Sequence, residues 1–181
     1  PTGRGHLSEA VESLIGAGSQ ALAPDVLADG LAQVTSPGRL QLVGVAPTVL
    51  VDSAHNPHGA RALVAALADS FDFDEWGIVL GAFADKDIPG IVSAIVPVAA
   101  QVFATAPESD RAAEPDTVAD LVEAAGGRVS VHRDLAEAAD AAREWASASD
   151  RRAVVIAGSV VLAGEAVQLA AAEDWKDGWQ A

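Results

Sequence analysis

The side chains best suited to chemistry lie in three short polar segments. The first reads Asp-Ser-Ala-His-Asn-Pro-His-Gly and spans residues 52–59. Asn56 and Pro57 form a helix-start signal, and the unpaired N–H groups at such a start favour an anion. The Asp52 carboxylate can accept hydrogen bonds from sugar hydroxyls, and His55 lies just beyond it. Either residue alone is typical of an ordinary turn, but the whole segment favours a binding loop.

The other two segments contain one candidate side chain each. Lys86, one of two lysines in the chain, stands between Asp85 and Asp87. It is equally compatible with a surface ion pair and with a cation that receives a substrate carboxylate. Ser159 follows Gly158 and is a natural helix N-cap, although its hydroxyl could also contact a ligand.

Arg39 is a fourth candidate, upstream of these segments. An arginine after Pro-Gly is typical of a solvated turn, but its guanidinium fork can also grip phosphate oxygens. His6 and His132 have no metal-ligand partners at useful spacing, so the sequence predicts no metal site. The chain also lacks the Gly-x-x-x-x-Gly-Lys-[Ser/Thr] phosphate loop, Gly-x-Ser-x-Gly and His-Glu-x-x-His.

The candidates are embedded in a pattern that predicts an α/β fold. Five β-branched runs are typical of buried strands, and helical apolar stripes lie between them. The runs are residues 48–51, 77–80, 101–104, 128–131 and 153–156. We therefore predict a Rossmann-like, mostly parallel sheet with helices on both faces. Arg39–Val43 is expected to add one antiparallel edge strand, which a tight corner at residues 45–47 connects to the first buried run.

This fold would bring the candidate side chains together. In open α/β sheets, ligands bind beyond the carboxyl ends of the strands. Each polar segment follows a predicted strand, so we expect the segments to share one rim of one sheet. The side chains expected along that rim are Arg39, Asp52, His55, Lys86 and Ser159.

Residues 1–36 differ from the rest of the chain. They contain two helical stretches, roughly Leu7–Ile15 and Pro24–Val34, and no strand pattern. We predict that residues 1–36 are a helical connector from a preceding domain and that residues 37–181 are the α/β domain.

Composition excludes several classes of partner. The formal net charge of −15 repels phosphate backbones and anionic lipids, which predicts neither a nucleic-acid nor a membrane partner. No run reaches the roughly 18 apolar residues of a membrane span. The absence of cysteine excludes disulfides and thiolate metal sites. Because no signal-peptide pattern is present, the cytoplasm is the expected compartment.

Four motifs together resemble the C-terminal domain of bacterial folylpolyglutamate synthase/dihydrofolate synthase, in the Mur ligase superfamily. They match in order and in spacing. They are Ser-Pro-Gly-Arg-Leu at 36–40, Val-Asp-Ser-Ala-His-Asn-Pro-His-Gly at 51–59, Asp-Lys-Asp at 85–87 and Ala-Gly-Ser-Val-Val-Leu-Ala-Gly-Glu at 157–165.

The resemblance implies a function and a set of roles. The family's enzyme uses ATP and Mg²⁺, both held mainly by an N-terminal P-loop domain outside this sequence. It phosphorylates a carboxylate of folate or dihydropteroate, and the amine of L-glutamate attacks the acyl phosphate. By this resemblance Arg39, Asp52 and His55 bind the nucleotide, and Lys86 and Ser159 bind glutamate. Catalytic roles fall to Lys86 and His55. A monomer is expected, and the chain alone is expected to be inactive.

Three other functions stay open from the residues. The first is the C-terminal domain of a UDP-muramyl amino-acid ligase, in the same superfamily. The second is a non-catalytic nucleotide-binding α/β module. The third is a regulatory α/β interaction domain whose acidic residues near Asp85 are only surface.

Overall fold

Strands and helices alternate along residues 40–176, the part of the chain that the computed structural model describes. The strands are β1 (Gln41–Val45), β2 (Thr48–Val51), β3 (Glu75–Leu80), β4 (Ala99–Ala104), β5 (Val129–Val131) and β6 (Arg152–Ala157). The helices are α1 (Pro57–Ser70), α2 (Ile88–Ile95), α3 (Pro115–Ala124), α4 (Leu135–Ser147) and α5 (Val160–Ala172). The predicted connector at 1–36 and Arg39 lie outside the described residues.

The strands form one sheet in the order β1-β2-β6-β3-β4-β5. The β1–β2 pair is antiparallel, and all other neighbouring pairs are parallel. The predicted sheet and its antiparallel edge hairpin are therefore confirmed. Within the described residues the edge strand is Gln41–Val45, so it extends past the predicted end at Val43.

Both faces of the sheet are covered by helices, as predicted. Alternate strand residues pack against α1, α2 and α3 on one face and against α4 and α5 on the other. In the central strand β6, Val154, Val155 and Ile156 are completely buried. A strand buried on both faces needs apolar residues at every position, which explains the continuous β-branched runs in the sequence.

Side chains at the helix starts fix where the helices begin. Asn56, Asp87 and Ser159 accept a hydrogen bond from a backbone N–H in the first turn of α1, α2 and α5. These bonds satisfy donors that the helix itself cannot pair. The caps predicted at Asn56 and Ser159 are thus confirmed. Among residues 40–176, no helix combines the length and the apolarity that crossing a bilayer requires.

Candidate functional site

The carboxyl ends of four neighbouring strands lie side by side. Backbone hydrogen bonds continue across them just beyond the strands. These are Asp52 N–H to Ile156 O, Gly158 N–H to Ala54 O, Gly81 N–H to Ala157 O and Thr105 N–H to Leu80 O. The segments that follow β2, β6, β3 and β4 therefore share one edge of the sheet. Asp52, His55, Lys86 and Ser159 all belong to these segments.

The topology opens a crevice on each side of β6. The chain leaves β6 into α5, on one face of the sheet. It leaves the two neighbours, β2 and β3, into α1 and α2, on the opposite face. Chains that diverge to opposite faces leave space between them, and this is where ligands bind in open α/β sheets. Gly158 and Ser159 lie between the two crevices.

Gly158 brings three strand ends into direct contact. Its φ of +112° lies in a region that side chains rarely adopt, and a Cβ there would stand 2.6 Å from Gly81 O. Its N–H donates to Ala54 O at 2.9 Å. Only glycine fits between these backbones, because the space that a side chain would need is already occupied. The glycine in the last polar segment thus sets how closely β2, β3 and β6 approach.

Asp52 stabilises the segment after β2. One carboxylate oxygen accepts the Ala54 N–H at 2.8 Å, and the other accepts the Leu40 N–H at 3.0 Å. Leu40 adopts a left-handed φ of +42°. Asp52 thereby attaches the chain at Leu40, the residue that follows Arg39, to the start of the binding loop.

A pocket of about 430 Å³ lies at the junction of β2 and α1. Asp52, His55, His58 and Leu40 line it, together with one side of α1. His55 is half-buried, and its Nδ1 is 2.9 Å from Ser53 O. A carbonyl only accepts, so Nδ1 carries the proton in this contact, and in the neutral ring Nε2 presents a lone pair. The pocket thus combines a carboxylate, an imidazole acceptor and an apolar wall.

The starts of α1 and α2 meet beside this pocket. A Cβ on Gly90 would lie 2.5 Å from Pro57 Cγ and 2.5 Å from the Asp87 carboxylate, so the close approach requires a glycine. Asp87 accepts the Gly90 N–H at 2.9 Å and caps α2. The loop that contains Lys86 is therefore fixed next to the helix start that follows His55.

The acids that flank Lys86 have different partners. Asp87 is the cap of α2, whereas Asp85 pairs with the Lys86 ammonium at 3.5 Å and with Arg111 at 2.9 Å. The hydrogen bond from Arg111 is the main cause of a pKa of Asp85 below its usual value. The Lys86 side chain is about one-third exposed, at 32%. It is an ion-paired cation that ligands can still reach.

Ser159 is engaged locally. Its hydroxyl oxygen accepts the Val161 N–H at 3.1 Å, and the residue is only 1% exposed. The structure therefore displays the capping role that the sequence also allowed. Contact of this hydroxyl with a ligand stays a prediction.

Two residues that the sequence did not single out belong to the same edge. Arg111 joins the loop after β4 to Asp85, and Thr105 is a buried residue whose hydroxyl has no hydrogen-bond partner among residues 40–176. Arg111 is the only basic residue between Lys86 and Arg128, and this isolated positive charge could have marked it as a candidate site residue. Thr105 offered no comparable signal.

The described residues lack a metal-binding cluster. No group of three or more His, Asp or Glu side chains within residues 40–176 could hold a metal ion. No chemical step is therefore assigned to an ion held by these residues.

Comparisons with known proteins match this geometry. The family model "Mur ligase, glutamate ligase domain" matches residues 38–160. The dihydrofolate synthase/folylpolyglutamate synthase of Mycobacterium tuberculosis is 41% identical over 170 residues, which cover 86% of this chain and 35% of that protein. The chain thus spans about one-third of the length of that relative.

Solved structures of folylpolyglutamate synthases are also similar to this chain. The M. tuberculosis folylpolyglutamate synthase complexed with ADP aligns with a TM-score of 0.72 and 41% identity, over 88% of this chain and 37% of that one. A bifunctional folylpolyglutamate synthase/dihydrofolate synthase with Mn, AMPPNP and L-glutamate bound aligns with a TM-score of 0.64 and 28% identity. That alignment covers 74% of this chain and 31% of the other.

Proposed function

The chain belongs to the Mur ligase family, as a glutamate ligase domain, and from that premise we propose that it is part of an ATP-dependent ligase that joins L-glutamate to folate or dihydropteroate. The observation that carries this proposal is the convergence of the segments after β2, β6 and β3 at Gly158. A nucleotide loop and a cation for an amino-acid carboxylate thereby share one edge. Relatives with ADP and with AMPPNP and L-glutamate bound support it.

We propose the following domain organisation. Residues 37–181 are the C-terminal domain, and residues 1–36 connect it to a preceding domain that holds ATP and Mg²⁺. The sheet edge faces that domain and forms the second wall of the cleft. This arrangement suits the chemistry, because an acyl phosphate is hydrolysed if water reaches it, and closing two walls around it excludes water.

The nucleotide roles follow from the pocket at the start of α1. We assign the ribose to Asp52 and an anion to the N-terminus of α1, where the helix dipole favours negative charge. Arg39 contacts the phosphates, and its neighbour Leu40 is hydrogen-bonded to Asp52. His55 presents its Nε2 lone pair, which can accept a hydrogen bond from the incoming glutamate amine.

The glutamate roles belong to the neighbouring segments. An amino acid with two carboxylates loses solvation on entering a closed cleft, so at least one paired cation is needed. Lys86 supplies that cation, and Ser159 contacts the amino acid from the end of β6. The reaction then has two steps. ATP transfers its γ-phosphoryl group to the folate or dihydropteroate carboxylate, and the glutamate amine attacks the acyl carbon and displaces phosphate.

The test is a competition assay in the complete ligase that carries this chain. One substrate pair is labelled L-glutamate with dihydropteroate or a folate, and the competing pair is an amino acid with a UDP-muramyl precursor. ATP is supplied with both pairs. We expect incorporation of glutamate into the pteroate or folate product and none without ATP. The 181-residue chain alone is the control and is expected to form no product. Preference for the UDP-muramyl precursor would overturn the folate assignment, and no product from either would favour a non-catalytic module.

A further inference from the structure

The loops after β3 and β4 are joined into one unit. Phe83 pairs with Ala112 in an isolated antiparallel bridge. On one side of this bridge the Ala84 N–H donates to Arg111 O at 2.8 Å, and on the other the Ala113 N–H donates to Ala82 O at 2.9 Å. The backbone from Arg111 to Ala113 is thus fixed relative to the loop that contains Lys86.

The guanidinium of Arg111 is held as well as its backbone. Its carbon lies 4.7 Å from the centre of the Phe83 ring, which is a cation–π distance. A single nitrogen, Nη2, donates to both oxygens of Asp85, at 2.9 and 3.0 Å. Arg111 therefore restrains the Asp85 carboxylate from one side, while the ring restrains the guanidinium from the other.

The Asp85 carboxylate in turn lies beside the Lys86 ammonium, at 3.5 Å. A lysine side chain has four rotatable bonds and costs considerable entropy to hold in one place. The side chain of Lys86 is nevertheless the least exposed of the three, at 32% against 50% for Asp85 and 61% for Arg111. The fixed Asp85 carboxylate therefore holds the Lys86 ammonium in one defined position, which contact with solvent alone would not do.

The charges of this cluster, defined as Asp85, Lys86 and Arg111, do not cancel. Two cations surround one carboxylate, which leaves one positive charge on a chain of net charge −15. A second carboxylate would neutralise the cluster. A second cluster, at the other end of the strands, has the opposite balance, because Arg151 pairs with both Asp72 and Asp74. That cluster lies where β3 and β6 begin, at the far end of the strands.

We propose that Asp85 is a positioning residue: held by Arg111, it fixes the Lys86 ammonium where a carboxylate of the acceptor amino acid binds. The inference rests on the proposed function and adds to it the two residues that orient its cation. A positioning role for Asp85 has one consequence that an ordinary surface ion pair does not have. A surface pair leaves substrate affinity unchanged when it is broken, whereas a positioning pair weakens binding of one substrate only.

The experiment is steady-state kinetics of the complete ligase with Asp85→Asn, an isosteric change that removes the charge. We expect the KM for L-glutamate to rise about 3- to 10-fold, since the contact is charge-assisted but partly screened by solvent. The KM for ATP should stay within about 2-fold, because the nucleotide is assigned to the loop after β2 and not to Lys86. Asp85→Glu should recover most of the loss, and Arg111→Gln should reproduce it by releasing Asp85.

Two controls separate the possible outcomes. Asp72→Asn breaks a comparable arginine pair at the other end of the sheet and should change no kinetic constant. Lys86→Ala should raise the KM for L-glutamate more than Asp85→Asn does. If Lys86→Ala raises it and Asp85→Asn does not, Asp85 is no positioning residue while the proposed function stands. If neither raises it, the assigned role of Lys86 fails too. A lower KM in Asp85→Asn would mean that Asp85 competes with substrate, which also overturns the inference.

Discussion

Replacing Gly158 by alanine tests whether the strand ends are packed as tightly as the site requires. Alanine at this position meets two obstacles. The backbone φ of +112° is one that L side chains rarely adopt, and the new methyl group would lie 2.6 Å from Gly81 O. The Leu80 side chain, at 2.9 Å, closes the same space. Because the nearest atom belongs to the backbone, a rotamer change cannot relieve the clash.

The expected loss of stability combines these two effects. Holding a non-glycine residue in such a conformation costs of order 1–3 kcal/mol. Forcing an extra methyl group into a well-packed region costs about 1–3 kcal/mol more. We therefore expect Gly158→Ala to lower the free energy of unfolding by about 2–6 kcal/mol, a large share of the roughly 5–15 kcal/mol that a domain has.

The assay is urea unfolding of the 181-residue chain, followed by far-UV circular dichroism. Gly164→Ala is the matched control, because Gly164 lies within α5 and a Cβ there has nothing within 4 Å. The control should gain about 0.5–1 kcal/mol, since glycine costs that much in a helix interior. A loss below about 1 kcal/mol in Gly158→Ala, with the control behaving as expected, would refute the close approach of β6 and β3.

Two further predictions concern the nucleotide loop and the opposite end of the sheet. Millimolar ATP should shift the amide resonances of residues 52–59 in an NMR titration of the chain, and shifts confined to residues away from the strand ends would contradict the site. Arg151 lowers the pKa of Asp72 and Asp74 below their usual 3.8, chiefly through its hydrogen bonds to them. Their ionised forms are thus favoured in the folded chain, and this stabilisation is present above pH 3.8 and is lost as the pH falls through the lowered values. Arg151→Ala should therefore be less stable than the parent chain at neutral pH by urea unfolding, and the difference should shrink on acidification; a constant difference would exclude this explanation.

The strands and helix starts could be predicted because their causes are local. A strand buried on both faces must be apolar throughout, so the runs at 48–51 and 153–156 are visible without any partner. Asn56 before Pro57 and Ser159 after Gly158 cap helices through bonds to residues two or three positions away. The hydrogen-bonding group and its partner then lie within one short stretch of sequence.

Other features of the site could not be predicted from the chain. The pairing of Arg111 with Asp85 joins residues 26 positions apart, and it depends on β3 and β4 being neighbours. The Asp52 carboxylate was expected to face a ligand, yet it also holds the Leu40 N–H, 12 positions upstream. Neither contact can be recognised from the local sequence pattern, because each one depends on which strands are neighbours in the sheet.

The sequence alone determined the class of fold, the strand ends that carry polar side chains and the family resemblance, since these depend on residue types and short spacings. The tertiary structure decided that β6 enters the sheet between β2 and β3. That placement brings Asp52, Ser159 and the loop of Lys86 to one edge and adds Arg111 to it. The physical reason is that strand order is set by how apolar faces pack across the whole sheet, over distances that no single segment encodes.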